Sequence, residues 1–180
     1  MRLFIGMRLP KETRDALQKE WSKVTAVPTN YRPVTPENWH FTIAFLGQIP
    51  AEHFHALESL LETAVERPPK GAFLLTDFQT FPTKHPSYVV IRAVAEQKDE
   101  WTKFVNRLRD IVSVAAPDVD RKFWTPHITI GRVKNRRILP PWTHPFAPMK
   151  FQPTDITLVE SKLTQSGAHY TDLHVFPLKF

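Results

Sequence analysis

The 180-residue chain contains no cysteine, which removes disulfides, thiolate metal sites and cysteine nucleophiles together and fits a reducing compartment. Glycine is scarce too: five against seventeen prolines predicts long, stiffened loops between short strands. The patterns G-x-x-x-x-G-K, G-x-G-x-x-G and G-x-S-x-G are all missing, so triphosphate hydrolysis, dinucleotide binding and serine hydrolysis lose support. No apolar run approaches a membrane span, and Leu3-Phe4-Ile5-Gly6-Met7 is too short for a secretory signal, making the cytoplasm the expected location. Any metal would have to rest on histidines and carboxylates.

What is present suits a globular protein with a real core. Hydrophobic residues make up 42% of the chain, with 13 Phe and five Trp, enough for one domain or two closely packed lobes. The net charge of +6 favours polyanionic partners such as nucleic acid, phosphorylated small molecules or anionic lipid.

One phrase occurs twice. Trp39-His40-Phe41-Thr42-Ile43-Ala44-Phe45-Leu46-Gly47 returns as Pro126-His127-Ile128-Thr129-Ile130-Gly131-Arg132. A bare His-x-Thr is expected about once by chance in such a chain, whereas two copies of His, apolar, Thr, Ile are expected on the order of once in 10,000 chains. Strand alternation places Trp39, Phe41, Ile43 and Phe45 on one face and His40 and Thr42 on the other, with His127 and Thr129 likewise sharing a face.

Around these phrases the chain reads as strands and amphipathic helices. Arg2 to Met7 reads as a central strand, followed by a helix from Pro10 to about Val24. Val27 to Asn38, with Pro28, Pro33 and Pro36, reads as a loop delivering Arg32 to the start of the first His strand. A helix over Ala51 to Glu66 ends at Pro68-Pro69. Strands Phe73 to Phe81 and Tyr88 to Val94 form a hairpin, and Lys98 to Ala115 carries the clearest helical stripe. Lys134 to Pro148 reads as a long basic, then Pro-rich, loop. Ile156 to Leu163 and Tyr170 to Leu178 close the chain as a strand pair around Gln165-Ser166-Gly167. Strand-helix-strand groupings thus recur in both halves, with little residue identity outside the two phrases.

If the two polar faces meet across a cleft, two imidazoles flank one point with two hydroxyls beside them. Opening a phosphodiester asks for this set: a base for water, an acid for the departing alkoxide and donors for the anionic oxygens. Histidine fits both proton roles because its ordinary pKa near 6.5 keeps both forms accessible. One ring must be neutral and the other protonated, which gives a bell-shaped pH profile; the residues alone do not say which is which.

His40 to Gly47 and His127 to Arg132 resemble the paired signatures of the two-histidine (2H) phosphoesterase superfamily, in particular its RNA 2′,3′-cyclic phosphodiesterase (2′-5′ RNA ligase-like) family. The resemblance runs from Arg2-Leu3-Phe4-Ile5 and Leu9-Pro10, through Asn38, to Tyr170-Thr171-Asp172-Leu173. It implies an α+β, bilobal fold whose two antiparallel sheets line a central cleft with helices packed outside. Residues 1–180 would form one domain of two pseudo-twofold lobes, with one motif strand (40–43 and 127–130) in each. The implied activity is hydrolysis of a 2′,3′-cyclic phosphate at an RNA 3′ end to a 2′-phosphomonoester. His40 would be the proton donor, His127 the proton acceptor, and Thr42 and Thr129 the phosphate ligands. RNA 3′ ends or cyclic nucleotides are the implied partners, and neither metal, cofactor nor obligate protein partner is implied. A noncatalytic RNA-binding or nucleotide-binding module, or 2′-5′ RNA end-joining as the main activity, are the alternatives.

Other residues stay open. Arg132 reaches the cleft only if its strand bends or bulges at Gly131; otherwise it is a solvated surface residue. Arg32, Lys134, Arg136 and Arg137 form either an electrostatic rim for RNA phosphates or ordinary surface charge. Phe81, Tyr88 and Tyr170 are candidates to stack on a terminal base, against core packing as the alternative. His53 and His55, two apart on a helix, diverge by about 200° and make a poor chelate. His85, His144, His169 and His174 show no ligand-like spacing and read as structural or solvent-facing.

Overall fold

The computed structural model describes residues 1–28, 30–134, 139–164 and 167–180. Its elements, in chain order, are β1 (Arg2–Arg8), α1 (Lys11–Trp21), β2 (Tyr31–Pro33), β3 (His40–Gln48), α2 (Phe54–Ala64) and β4 (Phe73–Phe81). There follow β5 (Tyr88–Ala95), α3 (Lys98–Val112), β6 (His127–Val133), β7 (Thr143–Phe151), β8 (Asp155–Thr164) and β9 (Gly167–Pro177). No helix among the described residues is long and apolar enough to cross a membrane.

Antiparallel pairing runs in the order β7-β4-β5-β6-β3-β1-β8-β9, with β2 added to β6. The two sheets expected from the resemblance are the arrays β7-β4-β5-β6 and β3-β1-β8-β9, made continuous by a single residue pair, Phe41 opposite Ile128. Beyond that pair β3 and β6 diverge, and the groups they would have exchanged need other partners. On β6 the free edge is taken by β2, whose Tyr31, Arg32 and Pro33 lie opposite Val133, Arg132 and Gly131. On β3 the carbonyls of Thr42 and Ile43 accept hydrogen bonds from Trp124 Nε1 (2.9 Å) and Arg109 Nη2 (2.9 Å). Arg109, buried on α3, also donates through Nη1 to the Lys122 carbonyl at 2.7 Å. The helix and the loop before β6 are thereby fastened to the first His strand.

Phe41 and Ile128 are both fully buried. On their side α2 and α3 close the core: Phe41 packs on Phe73 and Phe151, and Phe73 on Trp101 of α3. By alternation the neighbouring His40, Thr42, His127 and Thr129 project from the opposite face, where all four are half-buried. The helices thus leave open the side that carries the polar pairs.

Three sequence expectations are corrected. Phe45 does not share the face of Phe41 and Ile43: the β1–β3 register skips Ile43 and again Leu46, and these bulges turn Phe45 outward at 46% exposure while Ala44 is buried. The 27–38 segment is not all loop, because it contributes β2 and a 3-10 turn, Pro36–Asn38. Nor is 134–148 a long loop: β7 begins at Thr143 and pairs with β4 as an edge strand, where Pro145 and Pro148 cost little because only one side is paired. Arg136 and Arg137, and Gln165 and Ser166 of the closing turn, lie outside the described residues.

Candidate active site

The two motif strands build the same local device. His40 donates from Nδ1 to the Asn38 carbonyl at 2.6 Å, and His127 donates from Nδ1 to the Thr125 carbonyl at 2.7 Å. With the proton fixed on Nδ1, the free lone pair sits on Nε2. At His40 that nitrogen accepts from Thr42 Oγ1 at 3.2 Å. A phenylalanine backs each ring: Phe4 lies 4.8 Å from His40 and Phe81 lies 4.8 Å from His127, centroid to centroid. Tyr170 adds an edge-on contact to His40 at 5.3 Å. Phe81 and Tyr170 therefore hold imidazoles, and Tyr88 lies beneath a guanidinium instead, with Arg132 Cζ 5.5 Å from its ring centre.

Burial pushes the His40 imidazole down to about 4, and Arg8, Arg132 and His127 add to the drop against the opposing pull of the Asn38 carbonyl. Burial also lowers His127, helped by Arg132 and opposed by the Thr125 carbonyl. Both rings are accordingly neutral near pH 7. Because Phe41 stands opposite Ile128, the residues flanking each, His40 and Thr42 on one strand and His127 and Thr129 on the other, lie close together on the open face.

Arg132 belongs to that place. The β5–β6 register passes from Val89 opposite Gly131 to Val90 opposite Thr129, so Ile130 is an extra residue, one position before the expected bulge at Gly131. Ile130 and Gly131 are both buried and Arg132 emerges on the side of the histidines. The same irregularity falls at Ile43 in the other motif. Phe45 and Arg132, each five residues after its histidine, are consequently turned toward the same side.

A cleft of about 500 Å³ opens next to His40. Its walls include Phe4, Asn38 and Tyr170, the groups that hold the His40 ring, and extend to Arg2, Arg32, Phe45, Tyr88 and Arg132. Neither imidazole lines it. Lys134 is exposed just past the end of β6 and is absent from these walls. His53, His55 and His169 are exposed, His144 stacks on Trp142, and His174 bonds Glu58 at 2.9 Å, all outside the motif region.

Sequence reasoning missed Arg8. It lies opposite His40 in the β1–β3 ladder, on the same face, and its Nε donates to Asp172 Oδ1 at 3.1 Å while Nη1 is buried without a hydrogen-bond partner among the described residues. The β6 side has a counterpart: Arg92 stands opposite His127 and lies 3.6 Å from Asp77 of β4. Only the strand register reveals either arginine, and no local pattern announces it.

The chain is similar to known proteins along nearly its whole length. Residues 7–91 match the family described as LigT like phosphoesterase. The chain is 30% identical to the RNA 2′,3′-cyclic phosphodiesterase of Archaeoglobus fulgidus, over 98% of this chain and 99% of the relative. With the protein of that name from Escherichia coli it shares 30% identity over 96% and 93% of the two chains. Among solved structures, one from Thermus thermophilus superposes with a TM-score of 0.82 at 28% identity, covering 99% and 98% of the two chains. Escherichia coli LigT complexed with 3′-AMP superposes with a TM-score of 0.77 at 27% identity, covering 99% and 98%.

Proposed function

Since the chain belongs to the LigT-like (2H) phosphoesterase family, we infer that it is an RNA 2′,3′-cyclic phosphodiesterase whose paired imidazoles carry the reaction. His127 Nε2 takes a proton from water as the water oxygen attacks phosphorus. The bond from phosphorus to O3′ breaks, and protonated His40 delivers its Nε2 proton to that oxygen. The products are a 2′-phosphomonoester and a free 3′-hydroxyl, with the two rings left in exchanged protonation states that solvent resets. Thr42 and Thr129 donate to the non-bridging oxygens, and Arg132 adds positive charge on the same side.

The observation that carries this reading is the matched pair: two imidazoles with Nδ1 tied to a carbonyl, each backed by a phenylalanine, on strands joined at Phe41 and Ile128. The tie fixes tautomer and orientation, leaving Nε2 for proton transfer. Those matched surroundings also support reading residues 1–180 as one unit of two pseudo-twofold halves, each supplying one histidine. An anionic phosphate entering between the rings raises the pKa of both, so the acid is loaded by the substrate it serves.

Turnover of adenosine 2′,3′-cyclic phosphate in the presence of EDTA, followed by phosphorus NMR, tests the assignment. The 2′-phosphate is the expected product. His40→Ala and His127→Ala are each expected to lose about 10²–10⁴-fold in kcat with the fold retained; a full rate in either variant removes that histidine from the chemistry.

A further inference from the structure

The residues directly across the ladder from the two motif histidines are both arginines, and they are not equally available. Arg8 stands opposite His40 and Arg92 opposite His127, each on the face that carries the imidazoles. Arg8 is already engaged: Nε and Nη2 both donate to Asp172 Oδ1, and Nη1 is buried. Arg92 is not. Its side chain is 53% exposed, and among the described residues it makes one ionic contact, Nη1 to Asp77 Oδ2 at 3.6 Å, and no hydrogen bond. The N–H groups of Nε and Nη2 are left for another acceptor.

Asp77 accounts for where that guanidinium is held. Its carboxylate is buried on β4, where Oδ2 accepts from Thr76 Oγ1 at 2.7 Å and Oδ1 has no hydrogen-bond partner among the described residues. A buried carboxylate so poorly served is costly without a cation beside it. Among the described residues Arg92 is the one cation in ionic contact with it. The carboxylate thus fixes one end of the planar fork while the other end stays on the open face. Asp77, Arg92 and His127 form one row across β4, β5 and β6. Antiparallel counting from Phe41 opposite Ile128 places Thr42 on the far side of His127.

The movement of charge in the reaction says what a cation in this row does. A cyclic phosphate is a diester with a single negative charge, whereas the monoester formed by water carries close to two at neutral pH. The added charge falls on the oxygen arriving from water and its phosphoryl neighbours, and His127 is the ring that takes the proton of that water. A guanidinium one ladder position from His127 therefore stands where negative charge grows. An interaction that strengthens on the way to the transition state raises kcat rather than lowering KM.

We propose that Arg92 is a further catalytic residue of this reaction: anchored at Nη1 by Asp77, it donates through its remaining N–H groups to the phosphoryl oxygen that arrives from water. The proposal rests on the phosphodiesterase reading above and adds to it a group outside the two motifs.

Steady-state turnover of adenosine 2′,3′-cyclic phosphate, together with calorimetric affinity for the product adenosine 2′-phosphate, tests it. In Arg92→Gln kcat is expected to fall about 10–100-fold with KM held within about twofold, and Kd for adenosine 2′-phosphate to rise about tenfold. Because Arg92→Gln strands a buried carboxylate, the comparison is repeated between Asp77→Asn and Asp77→Asn/Arg92→Gln, where no stranded charge remains. The double variant is expected to turn over about tenfold more slowly than Asp77→Asn. An arginine that serves only as the counter-ion of Asp77 predicts otherwise: stability lost in Arg92→Gln and recovered in the double variant, with kcat and product affinity unchanged. That outcome, or a rise in KM at constant kcat, overturns the role of Arg92 and leaves the phosphodiesterase reading intact. Failure of the unaltered protein to open the cyclic phosphate overturns that reading, and the role of Arg92 with it.

Discussion

At the scale of single residues the two histidines are unlike free imidazole, and the sign of the difference sets the pH behaviour. Burial holds His40 near 4 and His127 below its ordinary value. On the proposed two-histidine mechanism the active form has one ring charged and the other neutral, so the bell of kcat/KM, which reports the free protein, is expected on the acid side of 6.5. A bound phosphate monoanion favours imidazolium, and the limbs of kcat therefore lie at higher pH than those of kcat/KM. Arg8 sharpens the test. Its charge pushes His40 down, so Arg8→Met should move the limbs of kcat/KM upward, while Asp172→Asn, which strips Arg8 of its counter-charge, should move them downward. Profiles that coincide in all three proteins would reduce Arg8 to a strut for β9.

At the scale of elements, the sheet has a weak seam and specific fastenings across it. Where β3 leaves β6, Arg109 and Trp124 satisfy the carbonyls of Ile43 and Thr42. Arg109→Leu would orphan two acceptors at once and is expected to lower unfolding free energy by about 2–4 kcal/mol, against about 1 kcal/mol for Trp124→Phe, which loses one bond and keeps most of the ring. Denaturant melts of the two variants check the ranking. Gly131 guards the other edge: a Cβ there would stand 2.3 Å from the Tyr31 ring. Gly131→Ala should therefore displace β2 and lower unfolding free energy by about 1–3 kcal/mol, read from denaturant melts.

These particulars show what the sequence could and could not convey. The His-x-Thr-Ile phrases carried the polar face, and the helical stripe from Trp101 to Val112 carried the covering layer. Bulges at Ile43 and Ile130 leave no trace in alternation, which is why strict alternation puts Phe45 on the wrong face and leaves the side taken by Arg132 open. β2 and β7 were hidden by their prolines, which local propensity reads as loop. An edge position makes such prolines harmless, and edges are decided by tertiary pairing. Arg8 and Arg92 stand opposite the histidines on strands well separated from them in the chain.

For the molecule as a whole, keeping both rings uncharged links acid tolerance to the site. A histidine whose folded pKa lies below its unfolded value binds fewer protons in the native state, so stability is full above about 6.5 and declines as pH falls toward the folded value. For His40 the window runs from about 6.5 down to about 4. The expected slope approaches about 1.4 kcal/mol per pH unit for each proton taken up on unfolding. Denaturation midpoints measured across that window should fall less steeply in His40→Gln than in the unaltered chain. A chain of net charge +6 should also bind longer RNA ends in a salt-sensitive way, with KM for an oligonucleotide rising with ionic strength more steeply than KM for a cyclic mononucleotide.

The positions five residues past each histidine have one more consequence. Two chemically identical imidazoles, held alike by carbonyl and phenyl neighbours, supply no compass: a phosphoryl group could sit between them either way round. Phe45 follows one ring on its strand and Arg132 follows the other, and that difference breaks the equivalence. Polarity is thus written into the frame rather than into the reacting groups.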